Sequence, residues 1–287
     1  MRIIYLSPIG QYNHHLFPTY QVTFGKHGHQ QVYNPHEATH VFMELVSGQV
    51  SYNQDLLKII KERNIPIICF DNREFGGMSE LGFKWKPIDL PVDIYFVRTT
   101  IKGFDPKNVF PYDWAYFDGC DFPPVSKEEL FNRDYDVCYI GVEAPTRTNV
   151  INALKKDGRL KVKYIFNDHL TRLTRGQWLI EYRQSKMAIE CEGGGLTSEK
   201  FLQLFSIAPQ LIVNNEMIRA FPFTDGINCL DISKEPTDQE IEKIVDIIAD
   251  KDWLYELYMN GISHIKKYHS EEAVSNYILG ILKQCGL

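Results

Sequence analysis

No apolar run in the chain reaches the roughly 18 residues that a membrane-spanning helix needs. The opening MRIIYLSPIG meets Pro8 and Gly10 too early for the apolar core of a leader peptide. Both absences predict a soluble, cytoplasmic protein. The six cysteines, Cys69, Cys120, Cys138, Cys191, Cys229 and Cys285, never fall into C-x-x-C spacing, and most sit in apolar, strand-like runs. They read as buried free thiols, not as metal or redox ligands. Positive charge is not in excess either. The formal net charge of -6 excludes a globally basic nucleic-acid binder while permitting a local basic groove. Six of the nine histidines (His14, His15, His27, His29, His36 and His40) crowd into the first 40 residues. Their spacing matches no metal-ligand pattern, and no Asp or Cys lies among them. No short-period internal repeat is visible.

What the chain does have is a core. Hydrophobic residues make up 44% and aromatic residues 13% of 287 positions, enough for two ordinary domains or one large one. The stretch around which the rest is organised is 189–215, IECEGGGLTSEKFLQLFSIAPQLIVNN. An apolar strand ending near Glu190 runs into Gly193, Gly194 and Gly195, then into a segment from Thr197 to Phe205 whose Phe201, Leu202, Leu204 and Phe205 suit one helix face. The strand from Gln210 to Val213 completes a β-α-β unit. Glycines allow close approach of the backbone to a bulky anion, and a helix start offers unpaired N–H groups. Thr197, Ser198 and Lys200 add hydroxyls and a cation there, so the segment reads as a phosphate pocket; the competing reading is a tight turn with Thr197 or Ser198 as a helix cap.

Before this unit, strands are predicted at Arg2 to Leu6 (running into a turn that ends at Gly10), Gln31 to Tyr33, Thr39 to Leu45, Ile65 to Phe70 and Val92 to Val97, with a helix from Asn53 to Arg63. Asp71 follows the fourth of these strands, where an open α/β sheet carries its ligand-binding loops. The stretch from Thr99 to Pro124 lacks periodicity, and Pro123 to Asp134 reads as an interdomain linker. The pattern then restarts, with strands at Asp136 to Ile140, Val162 to Phe166 and Met187 to Glu190, a loop from Gly141 to Thr148, and helices from Asn149 to Lys156 and Gln177 to Gln184. Capping signals at Thr237-x-x-Glu240 and Ser270 open two of three C-terminal helices. Two such arrays imply an α/β protein of two Rossmann-like domains facing a cleft, followed by helices.

Four segments carry a family resemblance: FGKHGHQQV (Phe24 to Val32), YDVCYIGVEAPTR (Tyr135 to Arg147), Gly193 to Val213, and NGISHIKKYHSEEAVSNYILGI (Asn260 to Ile281). By their order and spacing the chain resembles the GT-B glycosyltransferases, especially the small exostosin-like and spore-coat glycosyltransferase-like families. The resemblance implies an acceptor-side domain at 1–125, a nucleotide-sugar-binding domain at 126–268, and a final helix at 269–287 that packs back towards the first domain. It implies transfer of a sugar from a nucleoside-diphosphate donor, UDP-linked, to an acceptor hydroxyl on a glycan or polymer precursor, with no metal or other cofactor. Donor contacts fall on Gly10, Arg147, Gly193, Gly194, Gly195, Thr197, Ser198, Lys200, Gln203 and Asp225, and the catalytic base on Asp71, Asp113 or His14.

The chain departs from the pattern at two places. Where exostosin-like relatives show Ser-x-Arg-x-x-Glu, it has Ser198-Glu199-Lys200-Phe201-Leu202-Gln203, a point charge in place of a bidentate fork. Glu192 and Glu199 are one residue too close for the paired glutamates of a retaining branch, which leaves the stereochemistry open. Two other acceptors or roles stay in view. A hydroxymethylated base in phage DNA would call for a basic, aromatic groove, for which Lys84, Trp85, Lys86, Arg98, Lys102 and Lys107 are available. A non-catalytic nucleotide-sugar-binding protein, or a two-domain epimerase, would keep the cleft without the acceptor.

Overall fold

A computed structural model describes residues 1–6, 24–45, 53–71, 90–97, 100–101, 107–112, 123–166, 173–191, 199–213 and 217–287. The first half builds a six-stranded sheet from β1 (Arg2–Leu6), β2 (Gln30–Gln31), β3 (His40–Leu45), β4 (Ile67–Asp71), β5 (Ile94–Val97) and β7 (Val109–Pro111), in the order β2-β1-β3-β4-β5-β7. Every pairing in it is parallel. Near-continuous apolar runs such as IICFD are what a sheet covered on both faces requires. Alternate residues do face opposite ways. Phe42, Ile68, Phe70, Ile94 and Phe96 pack on one face with Val274, Ile278 and Leu282 of the last helix, α8 (Glu271–Gln284). Val41, Met43, Leu45, Ile67, Cys69, Tyr95 and Val97 pack on the other with Leu57 and Ile60 of α1 (Gln54–Glu62). Asn53 caps α1 by accepting from the Leu56 N–H, and Asn64 ends the segment in the left-handed region at φ 52°.

The second half builds a five-stranded, all-parallel sheet in the order β13-β11-β10-β8-β9. Its strands are β8 (Tyr135–Gly141), β9 (Val162–Phe166), β10 (Ser185–Glu190), β11 (Gln210–Val213) and β13 (Leu230–Ile232). Val137, Tyr139, Met187, Ile189, Leu211, Val213, Leu230 and Ile232 turn to α3 (Pro145–Asp157), α6 (Asp238–Ala249) and α7 (Lys251–Tyr268). The opposite face carries α4 (Arg175–Tyr182) and α5 (Glu199–Leu204). Among the described residues no helix is long and apolar enough to cross a membrane. Cys69, Cys138, Cys191 and Cys229 are buried free thiols and Cys285 is an exposed one; Cys120 lies outside the described residues.

Two expectations are corrected. The helix expected from Asn149 begins at Pro145, since proline's fixed φ and missing N–H suit the first helical position. Arg147 therefore belongs to the first turn of α3, not to a loop. The stretch from Thr99, where no element is expected, contributes β7 to the sheet edge and β6 (Thr100–Ile101), strands of three and two residues, too short for any alternation to register. The linker at Pro123 to Asp134 packs on the second core. Its short helix α2 (Lys127–Phe131) buries Leu130 in the second core, Val125 N–H donates to the Tyr258 hydroxyl at 3.3 Å, and Arg133 Nη1 donates to the carbonyls of Ser185 and Ile207 at 2.9 and 2.8 Å.

Candidate functional site

In the second sheet the chain leaves β8 for β9 on one side and returns to β10 on the other. Loops at the carboxyl ends of two strands with such diverging connections part from each other, which opens a crevice between them. The glycine-rich segment issues from β10 at this point. Glu192, Gly193, Gly194, Gly195, Thr197 and Ser198 lie outside the described residues, as does the side chain of Lys200. What is placed are the two ends that hold the segment: Glu190, half-exposed at the tip of β10, and α5, whose Phe201, Leu202 and Gln203 are buried.

The two strands separate early. Their register runs from Ser185–Tyr135 to Ala188–Cys138 and stops there. Beyond it the hydroxyl of Tyr182, on α4, occupies the gap: it accepts from Ile140 N–H at 2.9 Å and donates to Ile140 C=O at 3.3 Å. A residue's N–H and C=O point to the same side of a strand, so one phenol takes the place of the missing β10 backbone. Burial pushes the Tyr182 hydroxyl well above the ordinary tyrosine range, which keeps it a donor.

On the opposite face, the loop after β8 is drawn onto Tyr139. The Val142 carbonyl accepts from the Tyr139 hydroxyl at 3.3 Å and from Arg147 Nη1 at 2.6 Å, and the Arg147 guanidinium lies 5.8 Å from the Tyr139 ring centre. Burial raises the Tyr139 phenol, with Arg147 opposing the shift. Gly141 is required here, because a Cβ would sit 2.4 Å from the Tyr139 hydroxyl oxygen. The N-cap of α3 is Ala144, which makes no side-chain cap, and the first turn holds no acidic residue. The first turn of this helix thus carries a cation and neither a side-chain cap nor an acidic residue.

The first sheet has its own point of divergence, between β1 and β3. At its carboxyl edge Asp71 ends β4 with no exposure, and Glu44, one residue from the end of β3, is also buried at 3%. The two carboxylates face opposite sides of the sheet, because Leu45 pairs with Asp71 and Glu44 with Phe70. Gly10, His14 and Asp113 lie outside the described residues.

A two-stranded antiparallel ribbon joins the halves. β6 pairs with β12 (Met217–Ile218), Met217 opposite Ile101 and Ile218 opposite Thr100. β6 begins three residues after β5 ends and β12 four residues after β11 ends, so each strand end is within about 14 Å of the ribbon. The carboxyl edges of both sheets are therefore turned to a common junction. Asp225 is exposed beside the edge strand β13, where it accepts from Asp231 N–H at 2.9 Å and from Lys243 Nζ at 2.7 Å. Lys84, Trp85, Lys86, Arg98 and Lys102 lie outside the described residues; Lys107 is exposed. Among the described residues no group of three or more His, Cys, Asp or Glu side chains could hold a metal ion.

No family model and no curated protein matches the sequence. Solved structures do match the fold over its full length. HepE of Anabaena in complex with UDP superposes with a TM-score of 0.60 at 9% identity, covering 99% of this chain and 100% of its own. The fold is that of the GT-B glycosyltransferases. HepE with UDP-glucose (TM-score 0.55, 8% identity, 99% and 100% covered) and sucrose-phosphate synthase from Thermosynechococcus elongatus (0.54, 10%, 99% and 99%) share the GT-B arrangement. So does a glycosyltransferase from Rickettsia africae (0.52, 11%, 99% and 98%).

Sequence reasoning passed over four residues of this junction. Glu44 is a charge inside an otherwise apolar strand, and Arg219 a charge between Ile218 and Ala220-Phe221; both break the local pattern and could have been flagged on that ground. Tyr139 and Tyr182 carry no such signal, because a tyrosine in an apolar stretch is ordinary core composition.

Proposed function

We propose that the protein transfers a sugar from a nucleoside-diphosphate donor, UDP-linked, to the hydroxyl of a glycan or polymer precursor in the cytoplasm. The observation that carries the reading is the shared junction: the β6–β12 ribbon ties the carboxyl ends of β5 and β11 together, and the glycine segment follows in sequence from β10, the neighbour of β11. The UDP and UDP-glucose held by HepE support the choice of donor. We divide the chain into an acceptor-side domain at 1–125, a donor domain at 126–268 and a returning helix at 269–287.

In the transfer, the bond between the anomeric carbon and the β-phosphate oxygen breaks, and its electron pair stays on that oxygen. The acceptor oxygen bonds to the same carbon, and its proton passes to a base from the first domain. Asp71 is our candidate for that base among the described residues, with Asp113 and His14 as the others. The leaving diphosphate is stabilised by backbone N–H groups of Gly193, Gly194, Gly195, Thr197 and Ser198, by Lys200 and by Arg147, without a metal. Gln203 is assigned to a donor hydroxyl. Asp225 and Gly10 complete the original donor set, with Asp225 the weakest member because Lys243 already engages it.

The test is release of free nucleotide from a panel of UDP-sugars in the presence and absence of glycan acceptors, run with and without EDTA. Turnover that survives EDTA and is lost in Lys200→Ala and Arg147→Ala supports the reading. Donor binding with no turnover on any acceptor would replace it with a binding protein, and transfer only to hydroxymethylated DNA would change the acceptor.

A further inference from the structure

We propose that β9 is the contact edge of a homodimer, its free side pairing antiparallel with β9 of a second copy about a two-fold axis through Tyr164. The inference stands apart from the nucleotide-sugar reading. In β8, Val137 N–H donates to the Lys161 carbonyl, whereas the N–H and C=O of Ile140 turn the other way, to Tyr182. The odd-numbered residues of β8 therefore serve β9, and in the observed register they engage Lys161, Lys163 and Ile165. The N–H and C=O groups of Val162, Tyr164 and Phe166 are left pointing off the sheet, and among the described residues nothing takes them. All five residues of β9 are at least partly exposed, Tyr164 at 41%.

The other sheet edges are closed by different means. β2 is two residues long, and at β7 Pro111 lacks an N–H while its carbonyl accepts from the Tyr277 hydroxyl at 2.9 Å. At β13 the Asp231 N–H is taken by Asp225 at 2.9 Å. Short strands, proline and covering groups are how sheets blunt a free edge against pairing. β9 uses none of these over its five residues. Its one charge does not guard it either, since Lys163 is turned back to Glu181 and to Gln184 at 2.8 Å, and its side chain is only 15% exposed.

The strand is self-complementary, which selects a second copy over another extended chain. Antiparallel pairing centred on Tyr164 sets Tyr164 against its counterpart, Val162 against Phe166 and Lys163 against Ile165, so apolar residues meet and no like charges on the strands lie directly opposite. Each lysine also arrives with its own Glu181, as a neutral pair. The groups left on Val162, Tyr164 and Phe166 then satisfy one another, because opposed residues of this kind exchange both backbone bonds. β8 lies between this edge and the β8–β10 crevice, so pairing leaves the crevice clear.

Sedimentation velocity of the full chain over a micromolar dilution series should show a reversible dimer. Tyr164→Pro removes only an outward N–H, and Tyr164→Lys sets like charges against each other; each should weaken the dimer by roughly 5- to 100-fold with the far-UV circular dichroism unchanged. In a Cys285→Ser background, Tyr164→Cys should cross-link two chains on mild oxidation, since the paired Cα atoms would lie about 5.5 Å apart, within disulfide reach. Tyr33→Cys, at a site 83% exposed but away from β9, should not. A wild type that stays monomeric throughout the series, a dimer indifferent to both Tyr164 changes, or a Tyr164→Cys protein that cross-links no better than Tyr33→Cys would overturn the inference. Should Tyr164→Pro fail to fold, Tyr164→Lys and the cross-link decide it.

Discussion

At the scale of single residues, the loop after β8 depends on an absent side chain. Replacing Gly141 with alanine places a methyl group 2.4 Å from the Tyr139 hydroxyl oxygen and 2.9 Å from its ring carbon. The phenol must then swing off the Val142 carbonyl that Arg147 shares. Overpacking of this kind costs about 1–3 kcal/mol, so Gly141→Ala should lower the melting temperature and weaken UDP binding measured by calorimetric titration. Unchanged binding would show that Arg147 is seated independently of Tyr139. Glu240 offers a pH test. Burial raises its carboxyl, but hydrogen bonds from Thr237 and Ser233 outweigh that and hold it below its usual range. Its folded pKa lies below its unfolded one, so the stabilisation is complete above the unfolded value of 4.5 and is lost as pH falls through the folded value. The stability difference between wild type and Glu240→Gln, from urea titrations, should shrink across that window; a difference constant between pH 7 and 3 would contradict it. Charges that break an apolar pattern, such as Glu44 and Arg219, are legible in the sequence, whereas the closeness of Gly141 to Tyr139 is not, because it depends on a ring folding back over two residues.

Elements with strong local signals were readable almost to the residue. β9 and β11 have the expected bounds, and Thr237 and Ser270 cap the helices their positions foretell. Local chemistry decides those cases. The start of α3 and the strands β6 and β7 were not readable, since a Pro-initiated helix without a polar cap resembles a loop and a strand of two or three residues has no period. Strand separation is the further element-scale property that no local pattern encodes. The β8–β10 gap is held by Tyr182, and Tyr182→Phe would remove one hydrogen bond to the Ile140 N–H and one to its carbonyl. A hydrogen bond contributes about 0.5–1.5 kcal/mol net, which predicts a fall in melting temperature. Hydrogen exchange offers the sharper readout: the Ile140 amide should lose protection in the variant, and retained protection would mean that β10 closes onto β8 instead.

For the whole molecule, the path of the chain matters more than any single strand. The backbone passes from the first sheet to the second through 123–134, reaches back through the β6–β12 ribbon, and ends on the first sheet with α8, where the Tyr277 hydroxyl donates to the Pro111 carbonyl at 2.9 Å. The two-sheet α/β class was legible from the repeated β-α pattern; the ribbon was not, because its four residues gain meaning only from each other. Ile278, with no exposure, sits in α8 against the aromatic layer of Phe42, Phe70 and Phe96. Ile278→Ala removes volume from a core built partly by the far end of the chain, at a cost of about 2–5 kcal/mol. Because the second sheet has its own core of α3, α6 and α7 residues, the loss should fall on the first half. Thermal unfolding of Ile278→Ala should then separate into an early step indifferent to UDP and a later one that UDP raises. A single transition shifted as a whole would mean that ribbon and returning helix bind the halves into one cooperative unit.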